Sequence, residues 1–160
     1  LLSDPEKAES FFKHLRDWHL NDKASPVELF AALIYSFVRA EIEPDPTVEI
    51  RSHQVLENEL LMNWMRSELG MFKTEQLTIA KALNLMSLLR RRKDFEKRGD
   101  GRKRAVVSNA SFPLAMQMCK CDLTLSSADL HFWSEASTLK SDSSEGSGRS
   151  GPRRRRRRRK

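Results

Sequence analysis

The feature that most constrains this chain is the apolar run over residues 25–40, SPVELFAALIYSFVRA, because it carries its own helix start. Ser25 can cap a helix, Pro26 suits the first helical position, and Glu28 follows Ser25 by three residues, as a capping box requires. The face predicted to be buried repeats at three- and four-residue steps and contains Phe30, Leu33, Ile34, Phe37 and Val38. The run is too short to cross a bilayer, which needs about 20 largely uncharged residues. The sequence therefore predicts a buried helix.

Three further helices are predicted around this one, over about residues 3–20, 48–69 and 73–93. Pro44 and Pro46 interrupt the pattern before the third helix, since each disfavours helix for the residue before it. Gly70 follows the third helix and suits a C-terminal cap that turns left-handed. The fold class predicted is all-α, with about four antiparallel, repeat-like helices stacked over residues 1–93.

The net charge of +7 is distributed unevenly along the sequence. Residues 1–89 carry a net charge of −5 and residues 105–152 carry −2, whereas residues 90–104 carry +6 and residues 153–160 carry +8. A polyanion would therefore meet the two short basic tracts before it met the acidic body.

The two tracts supply the candidate nucleic-acid-binding residues. The first tract consists of Arg90, Arg91, Arg92, Lys93, Arg102, Lys103 and Arg104. The second consists of Arg153, Arg154, Arg155, Arg156, Arg157, Arg158, Arg159 and Lys160. The spacing within the first tract also fits a bipartite nuclear import signal, and a solvated charge run is the third alternative. If the second tract made eight phosphate contacts on a single strand, a plot of the logarithm of the binding constant against the logarithm of the salt concentration would have a slope of about −5 to −6. This slope is called the salt slope.

The residues after the predicted helices are harder to assign. Residues 94–104 are predicted to be a basic linker, and residues 105–133 a short segment of strand or helix. Apolar and polar residues alternate over 119–125, which favours a half-buried strand, whereas Ser127 can start a short helix. Residues 134–160 are rich in Ser, Gly and Arg, so a poorly ordered region with a basic tail is expected there.

The helix starts also indicate an internal repeat, since sliding the chain by 48 residues places Leu29 on Leu77 and Ala32 on Ala80. Two unrelated amphipathic helices can align in the same way. Residues 68–77, ELGMFKTEQL, resemble the "LG-x-F-S-P-Q-x-L" joint in the helical repeats of FAST-kinase-like and octotricopeptide organellar RNA-binding proteins. The SPVEL of residues 25–29 resembles the start of the preceding repeat. The resemblance covers about residues 25–90, departs from the pattern at Thr74, and implies RNA binding in a mitochondrion or plastid.

No catalytic or metal-binding constellation is evident. His14 and His19 are five residues apart, which does not place two imidazoles on one helix face. Cys119 and Cys121 with His131 lack a fourth ligand and the usual zinc spacing, and two such cysteines favour a reducing compartment. We therefore expect no enzyme activity, no cofactor and no small-molecule substrate.

The aromatic residues are assigned mainly to packing. Trp18 and Trp64 fall on apolar helix faces and are predicted to be core residues, whereas Trp133 is left open between core and base stacking. Leu33 and Phe37 are predicted to be buried, so that a change of either residue to Asp should unfold the helical body.

Two hypotheses follow. The first is a non-catalytic, repeat-like RNA-binding module whose basic tracts contact phosphates. The second is a helical protein-interaction domain with an unknown protein partner, in which the tracts direct the chain to the nucleus or nucleolus. Neither hypothesis requires a membrane.

Overall fold

The computed structural model describes residues 5–45, 48–97 and 99–138, and the regular structure within these ranges is entirely helical. The helices are α1 (Pro5–Asp22), α2 (Pro26–Phe37), α3 (Ser52–Leu56), α4 (Glu59–Asn63), α5 (Lys73–Leu89), α6 (Arg92–Glu96), α7 (Asp100–Val107), α8 (Phe112–Cys121) and α9 (Ser127–Thr138). π-helical turns over Val38–Ile42 and Trp64–Glu68 continue α2 and α4. The predicted all-α class is confirmed. In the described ranges no helix is long and apolar enough to cross a membrane.

The long helix α5 lies at the centre of the packing. It contacts α2, α3 and α8, while α1 packs on α8 and α7 packs on α9. The buried apolar residues belong to one cluster that includes Phe11 of α1, Leu83 of α5 and Trp133 of α9. Helices from both ends of the described chain therefore share a single hydrophobic core.

The predicted start of α2 is confirmed, but its buried face differs from the prediction. The Ser25 amide donates to Glu28 Oε2 at 2.7 Å, and the Glu28 amide donates to Ser25 Oγ at 3.4 Å, which completes the capping box. Ile34 is fully buried, whereas Leu33 is 42% exposed. The assignment of Leu33 to the core is therefore wrong, because the buried face of α2 is centred on Ala31 and Tyr35, and Leu33 lies on the opposite side of the helix.

The faces of α2 and α5 have similar burial at the offset of 48 residues. The buried pairs are Ala31 and Ile79, Ala32 and Ala80, Ile34 and Ala82, Tyr35 and Leu83, and Val38 and Met86. The two N-cap residues, Ser25 and Phe72, are 47 residues apart instead. The buried positions of the two helices match at an offset of 48 residues, but their N-caps match at 47. The two helices are therefore similar, but they are not a strict repeat.

The predicted third helix is not continuous. It is divided into α3, α4 and a π-helical turn, because Asn58 begins a new helix by accepting a hydrogen bond from the Leu61 amide at 2.9 Å. The predicted cap at Gly70 is confirmed, with φ of +61°. The Met71 amide then donates to the Met65 carbonyl at 2.9 Å, six residues back, and this bond closes the end of the π-helical turn.

A buried arginine fixes the connection between α2 and α3. Arg39 is 1% exposed, and its guanidinium donates to the carbonyls of Glu43, Asp45 and Val48 at 3.1, 2.7 and 3.3 Å. Three backbone acceptors therefore offset part of the cost of burying this charge, while Arg39 Nε has no hydrogen-bond partner among the described residues. The sequence pattern gave no indication of this role, since Arg39 reads as the polar end of an apolar run.

The strand predicted over residues 119–125 is wrong. Cys119 and Cys121 lie in the last turn of α8, and Leu123 follows with φ of +54° and 62% exposure. The alternation in the sequence therefore spans a helix end and a left-handed turn. Pro113 in the first turn of α8 and Ser127 at the start of α9 were the better signals.

The segment predicted to be a basic linker also contains helix. α6 occupies residues 92–96, and α7 begins at Asp100, where residues 94–104 were predicted to connect two parts of the chain. Phe95 is 5% exposed, and its ring lies 5.1 Å from that of Trp133. Trp133 is fully buried and donates through Nε1 to the Leu89 carbonyl at 2.8 Å. This tryptophan therefore joins α9 to the end of α5 and belongs to the core.

Candidate nucleic-acid interface

The first basic tract begins where α5 ends. Arg90 is the C-cap residue of α5, Arg91 precedes α6, and Arg92 and Lys93 form the first turn of α6. An open depression of about 490 Å³ is lined by these four residues together with Asp94, Ser126 and Asp129. This depression therefore lies between the cations at the end of α5 and the start of α6 on one side and the first turn of α9 on the other.

The three arginines face carboxylates on four different segments. The Arg91 Nη2 atom lies 2.8 Å from Glu49 Oε2, in the segment before α3. The Arg92 Nε atom lies 3.3 Å from Asp129 Oδ1 in α9 and 3.0 Å from Glu96 Oε1 in α6.

The third of these arginines, Arg90, faces the end of α8, where its Nη2 atom lies 3.8 Å from Asp122 Oδ2. These predicted binding residues therefore also join the helices of the fold.

The remaining cations of the first tract differ in their availability. The Lys103 Nζ atom lies 3.2 Å from Asp100 Oδ1 and 5.4 Å from the centroid of the Phe132 ring, and the Lys103 side chain is 19% exposed. Lys93, Arg102 and Arg104 are exposed, as is Lys97 at the end of α6. Within the described ranges no ion pair involves these four residues. They are the cations of α6 and α7 that can meet a phosphate directly.

The second tract lies outside the described residues. It consists of Arg153, Arg154, Arg155, Arg156, Arg157, Arg158, Arg159 and Lys160. Its predicted role in phosphate binding therefore stays a prediction from charge alone.

A buried polar cluster next to the first tract was not predicted. Tyr35 of α2 donates its hydroxyl hydrogen to Asp122 Oδ2, and the Thr124 amide donates to Asp122 Oδ1 at 2.9 Å. The Asp122 side chain is fully buried, and this burial raises its pKa above the usual aspartate value. Burial, reinforced by the Asp122 charge, also raises the pKa of Tyr35. The sequence offered no signal for this pair, because the two residues are 87 positions apart.

The cysteines are packing residues in this structure. Cys119 and Cys121 are both buried and unpaired with each other. Burial raises the pKa of Cys119 to about 12 and that of Cys121 to about 11, so both remain protonated thiols at neutral pH. Across the described ranges no group of three or more His, Cys, Asp or Glu side chains is arranged to hold a metal ion.

Comparisons with protein-family models, with curated proteins and with solved structures found no match to this chain.

Proposed function

We propose that this chain is a non-catalytic RNA-binding module in which the helices present phosphate-binding cations. The observation that carries the proposal is the set of exposed cations on α6 and α7 that form no ion pair with any described residue, namely Lys93, Lys97, Arg102 and Arg104. Residues 90–104 have a net charge of +6, which is the sign and density that a single-stranded polyanion requires. The second tract would add contacts that carry no sequence information.

The test is the binding of labelled single-stranded RNA to the full chain between 50 and 300 mM salt. A helix-face variant carries Lys93→Gln, Lys97→Gln, Arg102→Gln and Arg104→Gln. A control of equal charge loss carries the substitutions Lys13→Gln, Arg66→Gln, Lys73→Gln and Lys81→Gln, all at exposed positions. If all four cations contact phosphates, the helix-face variant should lose about 3 from the salt slope, at about 0.7 for each contact.

A third variant separates the tail from the helices by neutralising the second tract in the full chain. If binding then disappears, and the helix-face variant behaves as its control does, the fold has no role in RNA binding. If the tail variant retains binding that depends on RNA sequence, the helices contribute to recognition.

The alternative proposal is a helical protein-interaction domain with nuclear or nucleolar targeting tracts. Exposed apolar side chains favour it, since Phe72 is 74% exposed and Leu60 is 66% exposed. These exposures are large for apolar residues, although single exposed apolar residues are common on protein surfaces. The two proposals differ in location, an organelle or the nucleus. A fluorescent fusion that stays nuclear after both tracts are neutralised would count against the targeting role.

A further inference from the structure

Two arginines of the first tract are already occupied by carboxylates of the same chain. We propose that Glu49 at Arg91, and Glu96 together with Asp129 at Arg92, act as internal competitors, so that this part of the tract is a masked phosphate-binding site. The inference rests on the proposed RNA-binding function and adds a regulatory contact to it. A phosphate would reach Arg91 and Arg92 only by displacing these three carboxylates.

The chemistry of these contacts supports competition. Carboxylate and phosphate oxygens both bind the donors of a guanidinium group, and they use the same planar edge. Arg91 Nη2 donates to Glu49 Oε2 at 2.8 Å, and Arg92 Nε lies 3.0 Å from Glu96 Oε1 and 3.3 Å from Asp129 Oδ1. The Glu49 carboxylate therefore stands where a phosphate oxygen would bind Arg91, and two carboxylates offset the charge of Arg92.

Asp129 and Glu49 each use their two carboxylate oxygens for different contacts. In Asp129, Oδ2 accepts a hydrogen bond from the Ser126 hydroxyl at 2.6 Å and so supports the start of α9, while Oδ1 faces Arg92. In Glu49, Oε1 accepts from Asn84 Nδ2 at 3.4 Å, while Oε2 faces Arg91. The arginine contacts can therefore be lost while the other oxygen keeps its contact with the fold.

The solvent exposure of the arginine–carboxylate ion pairs determines how strongly they reduce phosphate binding. The Arg91 and Glu49 side chains are 53% and 32% exposed, and those of Arg92 and Asp129 are 25% and 20% exposed. Partly exposed ion pairs are weak, so each should reduce the affinity for a competing phosphate by no more than about fivefold. The masking thus attenuates binding and leaves it sensitive to salt.

The test uses isosteric changes in the full chain. The unmasked variant carries Glu49→Gln, Glu96→Gln and Asp129→Asn, which retain one side-chain oxygen at each position and remove the negative charges that hold the two arginines. The matched control carries Glu57→Gln, Glu59→Gln and Glu68→Gln, which remove three exposed carboxylates that form no ion pair within the described ranges. The probe is a labelled single-stranded RNA, titrated between 50 and 300 mM salt.

At 150 mM salt the unmasked variant should bind RNA about 3- to 20-fold more tightly than the unchanged chain. Its salt slope should be steeper by about 1.4, because two further arginines each add about 0.7. The control should change the affinity by less than about twofold, since its charges act only through screened, long-range interactions. Addition of Arg91→Gln and Arg92→Gln to the unmasked variant should remove the gain.

The outcomes separate this inference from the proposed function. If neither the unchanged chain nor the unmasked variant binds RNA, the proposed function is wrong. If the unchanged chain binds and the unmasked variant behaves as its control does, masking is wrong and RNA binding stands. Two further variants test the masking even if the unmasked variant does not fold. Arg91→Gln with Arg92→Gln in the unchanged chain should weaken binding less than Lys93→Gln with Lys97→Gln, and the opposite order would overturn the masking.

Discussion

The part of the chain up to the end of α5 and the part that follows it contribute to the same core, yet they use their charges differently. Residues 1–89 have a net charge of −5, and residues 90–104 have a net charge of +6. Across this boundary, Arg91 pairs with Glu49, so a basic residue of the second region joins it to an acidic residue of the first. Trp133 adds an apolar connection through its hydrogen bond to Leu89. The comparison shows that some cations of the basic segment hold the two regions together through ion pairs. Only the remaining cations are available to a ligand.

The largest effect should come from a charge placed in the first region. Ile34→Asp buries a carboxylate at a fully buried position and removes a large apolar side chain. We expect a loss of at least about 5 kcal/mol, which is enough to unfold a typical domain. The matched control is Leu33→Asp, at the 42% exposed neighbouring position, which should change stability by less than about 1 kcal/mol. Circular dichroism and thermal unfolding of both variants would show the contrast, and similar losses would contradict the observed orientation of α2.

The second prediction tests whether the two regions unfold together. Trp133→Ala removes a fully buried indole that packs on Phe95 and bonds to Leu89. We expect a loss of about 3–5 kcal/mol in a single cooperative transition, because α9 and α5 share one core. Phe72→Ala, at a 74% exposed position, is the control and should have little effect. Two separate transitions, with only one of them shifted by the substitution, would show that the second region is an independent appendage.

The third prediction concerns the buried pair that links α2 to the end of α8. Asp122→Ala should cost about 1–3 kcal/mol, because the Tyr35 hydroxyl loses its acceptor inside the core. Asp122→Asn keeps an oxygen acceptor and should cost less than the alanine change. Urea unfolding at pH 7 would rank the two variants, and an equal loss in both would contradict the role of Tyr35 as a donor.

The same residue gives a pH dependence with a defined sign. Burial raises the pKa of Asp122 above its ordinary value of 3.8, so the folded protein binds this proton more tightly than the unfolded chain does. The stability contributed by this group is fully present below pH 3.8 and is lost as the pH rises through the folded pKa. Asp122→Asn removes this dependence. The free energy of unfolding of the asparagine variant should therefore increase, relative to that of the unchanged chain, as the pH rises from 3.8 to 7.

The smallest effect should come from the turn before α5. Gly70 has φ of +61°, and a Cβ atom added there would have no heavy atom within 4 Å. Gly70→Ala should therefore cost only the left-handed backbone penalty, about 1–2 kcal/mol. Gly101→Ala is a suitable control, because Gly101 lies within α7, where alanine is favoured over glycine by about 1 kcal/mol. Thermal unfolding should show opposite signs for the two changes, and a loss at both would contradict this account.

The candidate site could be predicted only in part. The sequence identified the first tract because charge density is a local property, visible without any knowledge of the fold. It did not separate Arg91 and Arg92, which pair with Glu49 and Asp129, from Lys93, which is exposed and has no ion pair among the described residues. The carboxylate partners come from distant segments, and their positions depend on how α5, α6 and α9 pack.

The sequence by itself determined the all-α class, the capped start of α2 and the left-handed turn at Gly70. Each of these depends on short-range rules of helix periodicity and capping, which act over a few neighbouring residues. Only the tertiary structure decided that Leu33 is exposed, that residues 119–121 end a helix, and that Trp133 belongs to the core. These outcomes depend on which helix faces meet, and the burial gained when distant segments pack outweighs the weak local preference of any one segment.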